Sequence, residues 1–215
     1  MKILAGAHQA DGGQLVLKGE TITAPTPASM IERGVAVIYQ EFAQAEHLSV
    51  AENIFMNRLP RNHFGGIDWT AMSRDAVRAM DRQGFRIDPR RLVRSLSVAQ
   101  RQMVEIARAI SRNAQLIVLD EPSAVLGDTE LDKLFKTIRS LQAEGVAFIY
   151  ISHRFKEVFE LCQKATVLRD GKLVSTRPIA DWTTDSLIQS MVGRPMADYF
   201  PQRNAHPGDE ALGVS

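Results

Sequence analysis

Residues 96–126, LSVAQRQMVEIARAISRNAQLIVLDEPSAVL, constrain the fold more than any other part of the chain. They join a polar loop, an amphipathic run, an unbroken apolar run and two adjacent carboxylates. Met103, Ile106, Ala107 and Ile110 recur at i, i+3, i+4 and i+7, which predicts one buried helix face; Arg101, Glu105 and Arg108 fall outside that stripe. Ser97 stands ahead of this helix as an N-cap, so the free N–H groups of the first turn can receive an anion. After Ser111-Arg112-Asn113, the run Leu116-Ile117-Val118-Leu119 has the pattern of a parallel strand covered on both faces. It ends in Asp120-Glu121-Pro122, at the carboxyl edge where open α/β sheets bind ligands. On the residues alone, this triplet reads first as the opening of the next helix, with carboxylates near the positive end of its dipole and Pro in its first turn. The alternative is phosphoryl transfer, in which one acid holds Mg²⁺ through water and a second orients the attacking water.

The flanking segments supply the rest of an α/β domain. Met1–Ala5 reads as the tail of a helix closed by Gly6. Residues 14–17 and 21–23 alternate as strands around Lys18-Gly19, Pro25 and Pro27 mark a loop, and Val35–Tyr39 is a buried-type strand followed by Gln40. Phe55, Met56 and Leu59 continue the apolar face of the segment before them, and Asp68 caps a helix carrying Met72, Ala76, Ala79 and Met80. Arg90, Arg91 and Arg94 are read as a solvated basic turn. Further on, residues 129–141 are amphipathic, residues 146–151 read as a buried strand ending in Ser152-His153, and Asp170-Gly171 is a strong hairpin signal.

Composition excludes several function classes. A net charge of +1 gives no electrostatic case for nucleic-acid binding. Cys162 is the only cysteine, so the chain has no internal disulfide and no thiol cluster for zinc, in keeping with a reducing cytoplasm. No apolar run approaches the length of a membrane span.

In order and spacing, these segments resemble the ATP-binding cassette (ABC) ATPases. Ser97, Val98, Ala99 and Gln100, after Leu96, are similar to the family's LSGGQ signature, with Val98 and Ala99 where glycines are usual. Leu116–Glu121 resembles the Walker B strand with its catalytic glutamate, and residues 123–126 the D-loop. The form LSVAQ is similar to that of cassettes driving bacterial ribose, xylose, arabinose and galactose import. The resemblance implies an α/β P-loop NTPase-like fold: a mostly parallel core sheet, a small antiparallel β subdomain and a helical subdomain over about residues 48–112. It covers residues 1–200, leaving 201–215 as a flexible tail or linker.

The same resemblance implies the roles. Glu121, His153 and Gln40 are the catalytic residues, and Asp120 and Gln40 serve Mg²⁺. Ser97, Val98, Ala99, Gln100, Gln40 and His153 contact ATP. The expected partners are transmembrane permease subunits, a second cassette in tandem or as a dimer and, indirectly, a periplasmic sugar-binding protein. The expected location is the cytoplasmic face of the inner membrane. No G-x-x-x-x-G-K-[ST] string is found, and the one Gly-Lys pair, Gly171-Lys172, falls in a hairpin. This leads to the expectation of a first cassette truncated at its start, without its amino-terminal strands and Walker A loop, and inactive by itself on that account. A competing reading is a non-catalytic cassette that lends its signature loop to an ATP site on a partner.

Overall fold

The computed structural model describes residues 1–40, 43–124 and 126–193, which fall into two compact units divided between Arg154 and Phe155. The expected tail, Arg194 at the end of the Met191-Val192-Gly193-Arg194 stretch, and Val125 of the D-loop lie outside the described residues.

In the first unit, β1 (Leu15–Leu17) and β2 (Glu20–Ile22) pair antiparallel through the Lys18-Gly19 turn, where both residues have positive φ. Before them, the chain closes a helical turn at Gly6: Ala7 N donates to Lys2 O at 2.9 Å and Gly6 N to Ile3 O at 2.9 Å, the paired bonds of a Schellman closure. Gly6 has φ +71, and a Cβ there would collide with the backbone of Thr26 and Pro27. The expectation of a domain without its amino-terminal strands is therefore corrected. Strands β1 and β2 are present, and Leu4, Leu15 and Leu17 pack on a core of Ile22, Met30 and Val35. Apolar burial roots this end of the chain in the domain.

Pro27, expected in a loop, instead begins α1 (Pro27–Glu32). Thr26 and Ser29 cap each other reciprocally, and Pro at the first helical position loses no hydrogen bond. The chain then enters β3 (Val35–Ile38), which lies parallel to β4 (Leu116–Asp120), itself parallel to β5 (Ala147–Ile151). With β4 in the centre, Ile117, Val118 and Leu119 are fully buried. Strand β5, expected to be buried, is half-exposed along its length because it borders only β4 among the described strands.

Helices α2 (Val50–Ile54), α3 (Trp69–Asp81) and α4 (Val98–Ser111) enclose a separate core that includes Ile54, Met72, Met80, Val93 and Ala107. Asp68 caps α3 as expected, and Met72, Ala76, Ala79 and Met80 are its buried residues. Helix α2 is shorter than its apolar pattern suggests, and Leu59 beyond it is exposed. Helix α5 (Asp128–Ala143) buries Leu134, Phe135, Ile138 and Leu141.

The second unit, described by itself, contains α6 (Phe155–Leu161), the hairpin of β6 (Lys164–Arg169) and β7 (Lys172–Pro178), and α7 (Thr184–Val192). Asp170 and Gly171 both have positive φ, as a tight two-residue hairpin turn requires. Ala165, Val167, Trp182 and Leu187 form its core. Burial pushes the Cys162 thiol up from its ordinary pKa. No helix among the described residues is long and apolar enough to cross a membrane.

Candidate active site at the carboxyl edge of the sheet

The parallel order β3-β4-β5 brings three strand ends to one edge: Gln40 follows β3, Asp120 ends β4, and His153 follows β5. Asp120 is paired in register with Ile151, so the chain after β4 and the chain after β5 leave the sheet side by side. Glu121 N donates to Ile151 O at 2.9 Å, extending that pairing by one residue. Glu121 then turns to φ +48, a left-handed conformation that a side-chain-bearing residue holds at a cost of about 1–3 kcal/mol. The turn carries its carboxylate to His153, with Oε1 3.2 Å from Nδ1. The pair is open to solvent, with side-chain exposures of 32% for Glu121 and 65% for His153. An acid beside an imidazole at an open sheet edge can accept a proton from water while the ring holds a charged group.

The reading of Asp120-Glu121-Pro122 as a mere helix opening gives way here. Helix α5 begins only at Asp128, after two turn bonds, Ala124 N to Glu121 O and Leu126 N to Ser123 O, both 3.2 Å. Asp120 and Gln40 present oxygen ligands, the donor type a hard divalent cation takes. Among the described residues no cluster of three or more His, Cys, Asp or Glu could hold a metal by itself, so a cation here would need water or substrate oxygens to complete its shell.

Ser97 is the N-cap of α4 as expected: its Oγ accepts from Gln100 N at 3.3 Å, and Gln100 Oε1 accepts from Ser97 N at 3.1 Å. Val98 and Ala99 form the first helical turn and neither has positive φ, so the backbone at these positions does not call for glycine. The hydrogen bonds of Ser97 and Gln100 stay within this cap and do not reach Glu121 or His153. The residues predicted for one function thus form two groups, one at the sheet edge and one at the amino end of α4. A concavity of about 520 Å³ at the opposite, amino end of the strands, bordered by Gly34, Leu116 and Ala147, contains neither group.

Sequence reasoning missed the polar packing around α4. Glu105, outside the predicted apolar stripe, is nonetheless largely buried, its side chain 12% exposed, with Arg108 Nη1 3.8 Å away. Burial raises its pKa above the ordinary glutamate value, while Arg108, the Gln44 amide and Arg112 pull the other way. Arg58 donates to Ser111 O and Oγ at the carbonyl end of α4, and Arg112, the residue that closes α4, donates to Met56 O in the chain just after α2. Burial first, and then Arg108, lower the pKa of both guanidinium groups.

The fold and the sequence were compared with those of known proteins. The sequence model of the ABC transporter family matches residues 1–124. The ribose import ATP-binding protein RbsA of Rhodococcus jostii (strain RHA1) is 46% identical over 214 residues, which is 100% of this chain and 42% of that protein. A putative ribose/galactose/methyl galactoside import ATP-binding protein of Agrobacterium fabrum is 45% identical over 212 residues, 99% of this chain and 42% of the relative. The chain thus spans less than half the length of these curated relatives. Among solved structures, an ATP-binding cassette of an ABC transporter in its ADP conformation superposes with a TM-score of 0.75 at 22% identity. It covers 90% of this chain and 82% of the other, a likeness of fold.

These findings correct the expectation of a truncated cassette. The family match starts at residue 1, and the Rhodococcus relative aligns along the whole chain. The expectation that the chain lacks Walker A and is inactive for that reason is withdrawn.

Proposed function

We propose, from the premise that this chain belongs to the ABC transporter family, that it binds and hydrolyses ATP to energise import of a ribose-type monosaccharide. One observation carries the reading. Glu121 is held at φ +48 at the end of the central strand, with its carboxylate 3.2 Å from His153, in a chain aligned along its length with ribose-import ATP-binding proteins.

In this reading Glu121 orients the attacking water and accepts its proton as the water oxygen bonds to the γ-phosphorus and the bond to the ADP oxygen breaks. His153 contacts the terminal phosphate. Its Nδ1 is turned to Glu121, which sets the ring's orientation and leaves Nε2 for the phosphate. Asp120 and Gln40 would hold Mg²⁺, which, when bound, neutralises charge developing on the phosphate oxygens. Ser97, Val98, Ala99 and Gln100 present the amino end of α4 to ATP held by an opposing cassette; the N–H groups of that first turn suit an anion. The helical subdomain is α2 to α4, about residues 48–112.

The partners in this reading are a transmembrane permease, a second cassette and, through the permease, a periplasmic sugar-binding protein; the chain works at the cytoplasmic face of the membrane. The test is ATP hydrolysis and sugar uptake by the full-length protein assembled with its permease. Replacing Glu121 by Gln is expected to leave ATP binding in place and to abolish both hydrolysis and uptake. Parent-like hydrolysis in that variant rejects the assignment.

A further inference from the structure

The turns that lead from α4 into β4 and from α5 into β5 leave space between them. Each passes through a left-handed residue, Asn113 at φ +55 and Gly145 at φ +90, and a Cβ built on Gly145 would meet nothing within 4 Å. This space belongs to the concavity of about 520 Å³ at the amino ends of the strands, which lies within the first unit and is lined by no residue assigned to hydrolysis. Its size falls in the range of roughly 300–1,000 Å³ that small-molecule sites occupy.

Two kinds of surface meet there. Ile110, Leu116, Leu141 and Val146, all buried or half-buried, give it apolar walls. The backbone between them is already paired: Asn113 N donates to Ile110 O at 2.8 Å, Gly145 N to Gln142 O at 3.0 Å, Val146 N to Leu141 O at 3.0 Å and Ala147 N to Gln115 O at 2.8 Å. Recognition of charge therefore falls to side chains, and these are three cations, Lys18, Arg33 and Arg82, against one carboxylate, Glu144. The chain as a whole carries a net charge of +1, so this excess is local.

Arg82 pairs with Glu144 at 3.0 Å and Arg33 with Glu20 at 2.9 Å, both on the exposed surface. Pairs so open to water contribute little, and either guanidinium can turn to a ligand at small cost. Lys18 makes no ion pair among the described residues, and it stands at φ +53 in a turn where Asn, Asp or Gly would carry less strain.

We propose that this concavity is a binding site for a small amphipathic anion, with an apolar body against Leu116, Leu141 and Val146 and a phosphate or carboxylate head held by Lys18, Arg33 and Arg82. The arginine forks suit paired oxygens on such a head. A neutral apolar molecule would leave the rim unused, and a cation would face three like charges with only the already paired Glu144 in its favour. The site is separate from the one proposed for ATP hydrolysis and does not rest on that reading.

The test is calorimetric titration of the full-length protein with octyl phosphate, octanoate, octanol and inorganic phosphate, repeated in saturating MgADP, with thermal midpoints recorded alongside. Octyl phosphate or octanoate is expected to bind at least about tenfold more tightly than octanol or inorganic phosphate, each of which offers half of the complement. The tighter of the two identifies the head. Binding is expected to be the same with MgADP present and to raise the thermal midpoint, because the ligand binds only the folded chain. Lys18→Asn, which suits the left-handed turn, and Arg82→Gln are each expected to weaken binding roughly three- to tenfold while leaving the midpoint of the free protein in place. Ala147→Trp, whose ring would fill the space from the exposed start of β5, is expected to abolish binding.

Failure of both anions to bind at millimolar concentration overturns the site. So does octanol binding as tightly as they do, displacement of the probe by MgADP, or parent-like affinity in both Lys18→Asn and Arg82→Gln. The two rim variants decide the matter by themselves where Ala147→Trp fails to fold. Titration does not depend on turnover, so parent-like hydrolysis in Glu121→Gln rejects the proposed function and leaves this site standing. Absent binding beside lost hydrolysis in that variant does the reverse.

Discussion

Glu121 and Glu105 each face a basic side chain, and nearly everything else about them differs. Glu121 sits on a turn at φ +48, half-open to water, against an exposed imidazole. Glu105 sits inside α4, its side chain 12% exposed, against guanidinium groups whose charge is fixed. Around Glu105 the polar atoms are closed in: its Oε1, Gln44 Oε1 and Arg112 Nε are buried with no hydrogen-bond partner among the described residues. The first arrangement keeps a carboxylate strained and wet. The second keeps a carboxylate dry. A carboxylate beside a cation is thus no sign of chemistry until backbone strain and access to water are known.

The largest effect should come from breaking the first region. Glu121→Gln keeps the shape and loses the proton acceptor, and is expected to lower the hydrolysis rate by about 10²–10⁴-fold. The measurement is single-turnover hydrolysis beside nucleotide binding. A loss below about tenfold would place Glu121 with Glu105 as a structural acid.

In the second region, truncation should cost stability before anything else. Ile54 is fully buried in the core that α2 shares with α3 and α4, so Ile54→Ala is expected to destabilise the chain by about 2–4 kcal/mol. Denaturant unfolding of this unit gives the number. A cost below about 1 kcal/mol would mean that the core relaxes around the gap.

The contrast also explains what could be read from the linear sequence. Helix α4, strand β4 and the placing of Asp120, Glu121 and His153 at strand ends were legible because each depends on local periodicity, 3.6 for the helix and an unbroken run for the buried strand. The pairing of residues 46–51 with 89–94 was not, because it joins segments some forty residues apart through backbone atoms that every residue has. Glu105 falls outside the apolar stripe, yet such a stripe marks the buried face only where apolar groups cover it; here Gln44, Arg108 and Arg112 cover the flank. The expectation of a chain without Walker A leaned on a motif string, whereas the packing of Leu4, Leu15 and Leu17 on the core is burial that no motif records. Strand β5 shows the same limit, since its sequence gives its apolar character and only the sheet order says which side is covered.

A second change at Glu121 sharpens the comparison by separating activity from stability. Glycine adopts φ +48 without steric cost, so Glu121→Gly should remove strain from the folded state. The greater freedom of the unfolded glycine chain offsets part of the gain. The expected outcome is a folded state more stable by about 0.5–1 kcal/mol with hydrolysis abolished. Equal or lower stability by denaturant unfolding would show that the Glu121–His153 contact compensates the turn, and the site would then lose its claim to be strained for function.

The smallest effect concerns Glu105 and depends on pH. Burial raises its folded-state pKa above the unfolded value, so the folded chain holds the proton more readily. The associated stability is fully present below the ordinary glutamate range and is lost as pH rises through the raised folded value. Glutamine imitates the protonated acid at every pH and can donate an N–H to a neighbouring acceptor such as the unpartnered Gln44 Oε1. Glu105→Gln is therefore expected to match the parent in stability at acid pH below about 4 and to exceed it near neutrality, by under about 1 kcal/mol. Unfolding of both proteins across that range measures the difference. If the variant is instead less stable at neutral pH, the attraction of Arg108 and Arg112 for the carboxylate outweighs the cost of burying it. Glu105 would then be an ion-pair anchor of α4, and the two carboxylates would differ in solvent access and strain but not in the sign of their charge's effect on folding.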